Sequence, residues 1–108
     1  MDQNANEALK DFAAGGASQY IKFDEYENVV EGIYIGYSIE DDNFNPGQQK
    51  VVYELEMANE RKIISSGSKR LARAVLKSEP KEGQFIRITR TGEGFDTNYE
   101  VTTSDIPF

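Results

Sequence analysis

Between Arg61 and Arg90 the chain carries nine lysines and arginines against two glutamates, while residues 1–60 carry three against thirteen acids and residues 91–108 none against four. Segment charges of −10, +7 and −4 thus lie behind the total of −7. A basic segment between acidic flanks suits one polyanion-binding face on an otherwise repulsive surface. Arg61, Lys62, Arg87 and Arg90 fall on expected strands, where a sheet can present them to phosphates. Two rings, Phe44 and Phe95, stand in polar loops among Gly, Asn and Asp, with no apolar neighbour to explain burial. Tyr34 sits between Gly32 and Gly36, on the strand face opposite Ile33 and Ile35, where no side chain of its own strand hides it. Rings that stack bases beside cations that hold the backbone are the chemistry of unpaired nucleic acid. The alternatives are that Phe44 and Phe95 fold back to close the ends of a barrel and that the N-terminal segment covers Tyr34. Tyr53 and Tyr99 read as core. Lys69, Arg70, Arg73 and Lys77 form a helical stripe that reads as a solvated face, with nucleic-acid contact as the alternative.

Other chemistries find few tools here. The chain has neither Cys nor His, which removes thiol nucleophiles, imidazole bases, disulfides and the usual zinc, copper and haem ligands. Its carboxylates are scattered through runs such as Asp24-Glu25 and Glu40-Asp41-Asp42, as in solvated surface. Gly92-x-Gly94 lacks the spacing of a dinucleotide fingerprint and fits a hairpin loop better, and no Walker-type lysine motif occurs. We therefore expect no enzyme, no cofactor and no bound metal. A Mg²⁺-dependent hydrolase built on paired carboxylates remains a third reading. No stretch approaches the roughly 18 apolar residues of a membrane helix and no signal-like segment opens the chain, so the expected location is cytoplasmic, with no membrane partner.

The elements that must position these residues follow from periodicity. Residues 1–19, with a weakly helical stretch over 6–14 and the run Gly15-Gly16-Ala17-Ser18, read as a loose arm. The folded part is expected over 20–103, leaving 104–108 as a C-terminal tip. Alternation predicts strands over 29–39, 50–57, 61–65, 85–91 and 98–102, with a tight turn at Asn59-Glu60. Ser66 or Ser68 can cap a helix with Leu71, Ala72, Val75 and Leu76 on one face, ending before Pro80. Three strands, a helix and two strands is the order of an all-β, five-stranded oligonucleotide-binding (OB-fold) barrel with one helix between strands three and four. In such a barrel the ligand crosses strands two and three, between the loops over 40–49 and 91–98. Glu54 and Glu56 point outward from strand two and displace the expected path towards strands three and four.

Residues 20–103 also resemble the small single-stranded-DNA-binding proteins of tailed bacteriophages, chiefly over Ser65-Ser66-Gly67-Ser68-Lys69-Arg70-Leu71-Ala72 and the segment running from Arg87 to Thr97. The C-terminal Asp105-Ile106-Pro107-Phe108 is similar to the acidic-hydrophobic tip by which bacterial single-stranded-DNA-binding proteins recruit partners, although it has one acid and no long linker. The resemblance implies sequence-tolerant coating of single-stranded DNA in phage replication or recombination, in a host cytoplasm, with replication or recombination proteins as partners of the tip. Local packing of Ile106 and Phe108 is the other reading of the tip. A protein-binding adaptor, using the barrel as scaffold and the tail as contact, is the alternative function. Oligomeric state, a homodimer included, stays open.

Overall fold

The computed structural model describes residues 19–108. The expected arm, with its weak helix over 6–14, lies outside the described residues except for Gln19. Five strands follow in chain order: β1 (Val29–Asp41), β2 (Gln49–Met57), β3 (Glu60–Ser66), β4 (Phe85–Thr91) and β5 (Asn98–Ser104), with the helix α1 (Lys69–Ser78) between β3 and β4. All strand pairings are antiparallel, and they form one sheet in the order β3-β2-β1-β4-β5.

That sheet is open, where a closed barrel was expected. β3 and β5 are its edges and do not pair with each other. The lead-in segment supplies a physical reason. Ile21 N donates to Ile63 O at 2.7 Å and Ile63 N donates to Gln19 O at 2.6 Å, so residues 19–21 occupy the outer edge of β3. α1 lies against β5 at the other side.

β1 shows how one extra residue reassigns faces. Val30 and Tyr34 point into the core, paired with Ile88 and Leu55. The register then shifts between Tyr34 and Gly36, a bulge at Ile35. Beyond it Tyr37 and Ile39 stand opposite Tyr53 and Val51, on the core side, but at a rim where both are exposed. The expected grouping of Ile33, Ile35 and Tyr37 on one face is therefore split, because a single inserted residue inverts a two-residue period. The β2–β3 hairpin turns at Ala58 and Asn59, with φ of 51° and 63°, which is one residue earlier than expected and suits a type I′ connection. Glu60 pairs with Met57 to close it.

The Ser68 hydroxyl caps α1 by accepting from Leu71 N at 3.2 Å. Leu71 and Val75 enter the core, whereas Leu76, expected on the same face, is exposed. Leu55, Leu71, Ile86, Ile88 and Val30 are the largest fully buried side chains. Each contributes about 1.5–3 kcal/mol by leaving water. Tyr53 lies among them with its hydroxyl unpartnered, and burial, reinforced by Tyr34 and Tyr37, pushes that phenol up to about 12. Among the described residues no helix is long and apolar enough to cross a membrane, and no group of three acidic residues is placed to hold a metal ion.

Candidate nucleic-acid interface

Of the three rings expected to stack bases, two are free and one is buried. Phe44 is 89% exposed and Phe95 is 98% exposed, whereas Tyr34 is 6% exposed and belongs to the core. Tyr34 is thus not a surface platform. Val30 and Tyr34, rather than Ile33 and Ile35, take the core side, because their partners Ile88 and Leu55 are fully buried on the adjoining strands. Burial also raises the Tyr34 phenol above its ordinary value, with Tyr37 adding to the shift.

The two free rings sit on differently built loops. Asp42 orders the β1–β2 loop. Its carboxylate accepts from Phe44 N and from Asn45 Nδ2, both at 2.9 Å, and Asp42 N donates to Gln48 O at 2.9 Å. The Asn45 amide, then the Phe44 backbone N–H, hold the Asp42 carboxyl below its ordinary range. The β4–β5 loop is fastened from outside itself. Arg70 of α1 donates from Nη1 to Phe95 O at 2.7 Å and to Thr97 O at 2.6 Å, around a short 3-10 turn at Gly94–Asp96. Gly92 adopts a φ of +77°, and a Cβ there would lie 2.2 Å from Asp96 O, so no other residue fits this bend unchanged.

The four cations expected to hold phosphates do not share a face. Lys62 is opposite the buried Leu55 and Arg90 opposite Tyr99, which places both on the core side of the sheet. Arg61 and Arg87 alternate with them and lie on the outer side. Each is also paired with a carboxylate. Arg61 reaches Glu54 at 2.5 Å, Lys62 reaches Glu60 at 3.3 Å, Arg87 Nε reaches Glu31 at 2.9 Å, and Arg90 binds Asp24. Arg90 further donates to Asn28 Oδ1, at 3.0 Å from Nε and 2.6 Å from Nη2, and lies 5.3 Å from the Phe23 ring centre. Its role is to tie β4 to the lead-in. The expected single trough of strand cations is therefore absent from the described residues.

The C-terminal tip is held against the sheet. Gln84 Nε2 donates to Asp105 at 2.9 Å, Ile106 N donates to the Ser104 hydroxyl at 3.2 Å, and the Phe108 ring lies 4.4 Å beneath the Arg87 guanidinium. Pro107 and Phe108 thereby close one side of a cavity of about 320 Å³ over Ile33 and Phe85. Ile106 is the more exposed of the tip's two large apolar residues, at 70% against 42% for Phe108.

A cationic groove does exist, along the helical stripe whose sequence reads as a solvated face. Gly67, Ser68, Lys69, Arg70 and Arg73 form one wall, and Gly94, Phe95, Thr97 and Tyr99 the other, around about 810 Å³. Three cations and no acid line it. Asp96, between the lining residues Phe95 and Thr97, is exposed on the same turn, and Glu93 lines a different cavity beside Arg90 and Asn28. Periodicity put Lys69, Arg70 and Arg73 on one helix face but could not bring the 91–98 loop to them across some 25 residues of sequence; the Arg70 bonds do so. No protein-family model, curated protein or solved structure matches the chain.

Proposed function

We propose that this chain binds single-stranded DNA with little sequence preference, as a partly open barrel of the oligonucleotide-binding type. The observation that carries the reading is the pair of phenylalanines, Phe44 and Phe95, held almost wholly in solvent by ordered loops at the β1–β2 and β4–β5 connections. A base stacked on such a ring covers it and contributes about 1–3 kcal/mol. The supporting topology is a first strand paired on both sides, with β2 and β4, and a helix between β3 and β4, compatible with a Greek-key barrel left open at one seam. The resemblance of residues 20–103 to phage single-stranded-DNA-binding proteins is what suggests phage replication or recombination as the setting. Rings and phosphate contacts carry little sequence information, which accounts for the proposed tolerance.

Fluorescence anisotropy with labelled oligothymidylate and with duplex of equal length tests the reading. Binding of the single strand, weakened by salt and much weaker for duplex, is expected. Equal affinity for duplex, or affinity indifferent to salt, overturns it.

A further inference from the structure

Resting on that reading, we infer that the backbone of the bound strand runs through the groove between α1 and the β4–β5 loop, with Lys69, Arg70 and Arg73 holding phosphates and Phe95 stacking the adjoining base. The four strand cations do not serve this role.

Three observations converge on it. The first is charge balance. Each strand cation already faces a carboxylate, so the local field at Arg61, Lys62, Arg87 or Arg90 is close to that of a neutral pair. Lys69 and Arg73 are exposed and have no hydrogen-bond or ion-pair partner among the described residues, and no acid lines their groove. On a chain of net charge −7, three neighbouring cations with no ion pair among the described residues are where a polyanion finds attraction, even with Asp96 on the adjoining turn. Counterion release rewards such unpaired cations most, since a paired lysine or arginine must first exchange its carboxylate for the phosphate.

The second is that cations and ring are mechanically joined. The guanidinium that fastens the Phe95 loop is itself one of the three cations. Both bonds leave from Nη1, and the guanidinium has five N–H donors, so its Nε and Nη2 donors remain for a phosphate. Phosphate-binding and base-stacking groups are thus held at fixed spacing by one side chain, which lowers the ordering cost of binding.

The third is shape. The groove is open between a helix face and a loop, at the upper end of the roughly 300–1,000 Å³ range in which ligand sites fall. An exposed ring at its wall accepts an unstacked base, which duplex DNA does not offer.

The experiment compares two double variants, K69A/R73A and R61A/R87A, with the parent chain, by oligothymidylate anisotropy across a salt series. Circular dichroism melts check that each is folded; Lys69 and Arg73 make no contact that the fold depends on. Losing two phosphate contacts on a single strand lowers the salt slope by about 1.4, so over a fourfold rise in salt the parent loses about sevenfold more affinity than K69A/R73A. R61A/R87A is expected to keep the parent slope. The inference is overturned, and the proposed function kept, if K69A/R73A retains the full slope while R61A/R87A loses it. If the parent itself shows no salt-dependent preference for single strands, the proposed function fails and this inference with it. The charge-conserving variant K69R/R73K separates cation from side-chain identity and is expected to restore the parent slope.

Discussion

The β1–β2 and β4–β5 loops each hold a phenylalanine in solvent, yet one is built from its own residues and the other is built by a neighbour. Asp42 organises the first within a span of a few residues, among the acids Glu40 and Asp41. Arg70 organises the second from α1, and in doing so sets three cations beside the ring. The difference teaches that exposure of a ring is insufficient to define a site: the surrounding charge decides whether a phosphate chain will run past it. Phe44 follows the acids Glu40, Asp41 and Asp42, whereas Phe95, although next to Asp96, faces three cations of α1 across its groove.

That contrast can be broken at several points. The largest effect is expected from Gly92→Ala, which forces a methyl onto Asp96 O and an L-residue into a left-handed φ. A loss of about 2–4 kcal/mol in denaturant unfolding is expected, whereas Gly47→Ala in the other loop, with φ +82° but open space around it, should cost about 1–2 kcal/mol. Equal costs would show that the β4–β5 bend is not tightly packed.

Arg70→Ala comes next. It removes two bonds to backbone carbonyls, at about 1–3 kcal/mol, and should speed amide exchange over 93–97 while leaving 42–48 unchanged. Oligothymidylate affinity should fall further than in Phe95→Ala, since ring placement and a phosphate contact are lost together.

A finer test lies in the rings themselves. Phe95→Ala should weaken oligothymidylate binding by about 1–3 kcal/mol, and Phe44→Ala by less than Phe95→Ala, as read by anisotropy. A reversed order would move the path of the strand to the β1–β2 loop.

The smallest effect concerns acid. Asp42 has a carboxyl depressed by the Asn45 and Phe44 donors, so the stability it lends is present above the unfolded carboxyl value and is lost as pH falls through the lower folded one. The Phe44 loop should therefore keep its amide shifts on acidification beyond the point where an ordinary aspartate has protonated, then lose them; Asp42→Asn should abolish that step. The Phe95 loop, fastened by a guanidinium, should show no counterpart.

The strands and the helix were legible because their periods are long and regular. β4 and the Ser68 cap match expectation, and the other strand ends differ by one or two residues. What the sequence hid was non-local. The bulge at Ile35 has no residue signature strong enough to reveal that the alternation inverts there, so that Tyr37 and Ile39 share the core side with Tyr34 while Ile33 does not. The carboxylate partners of Arg87 and Arg90 lie 56 and 66 residues away, so only tertiary structure reveals that these cations are already neutralised. The exposed loop rings were readable from composition alone, since nothing apolar surrounds Phe44 or Phe95.

The short pairing of residues 19–21 with β3 has a further meaning for how this molecule behaves at high concentration. A bare outer strand would be a template for recruiting another chain, and here the protein's own backbone meets that edge at Ile63. Cleavage that strips away residues up to Ile21 would free the Ile63 N–H and C=O for a second molecule and lengthen the exposed edge of β3.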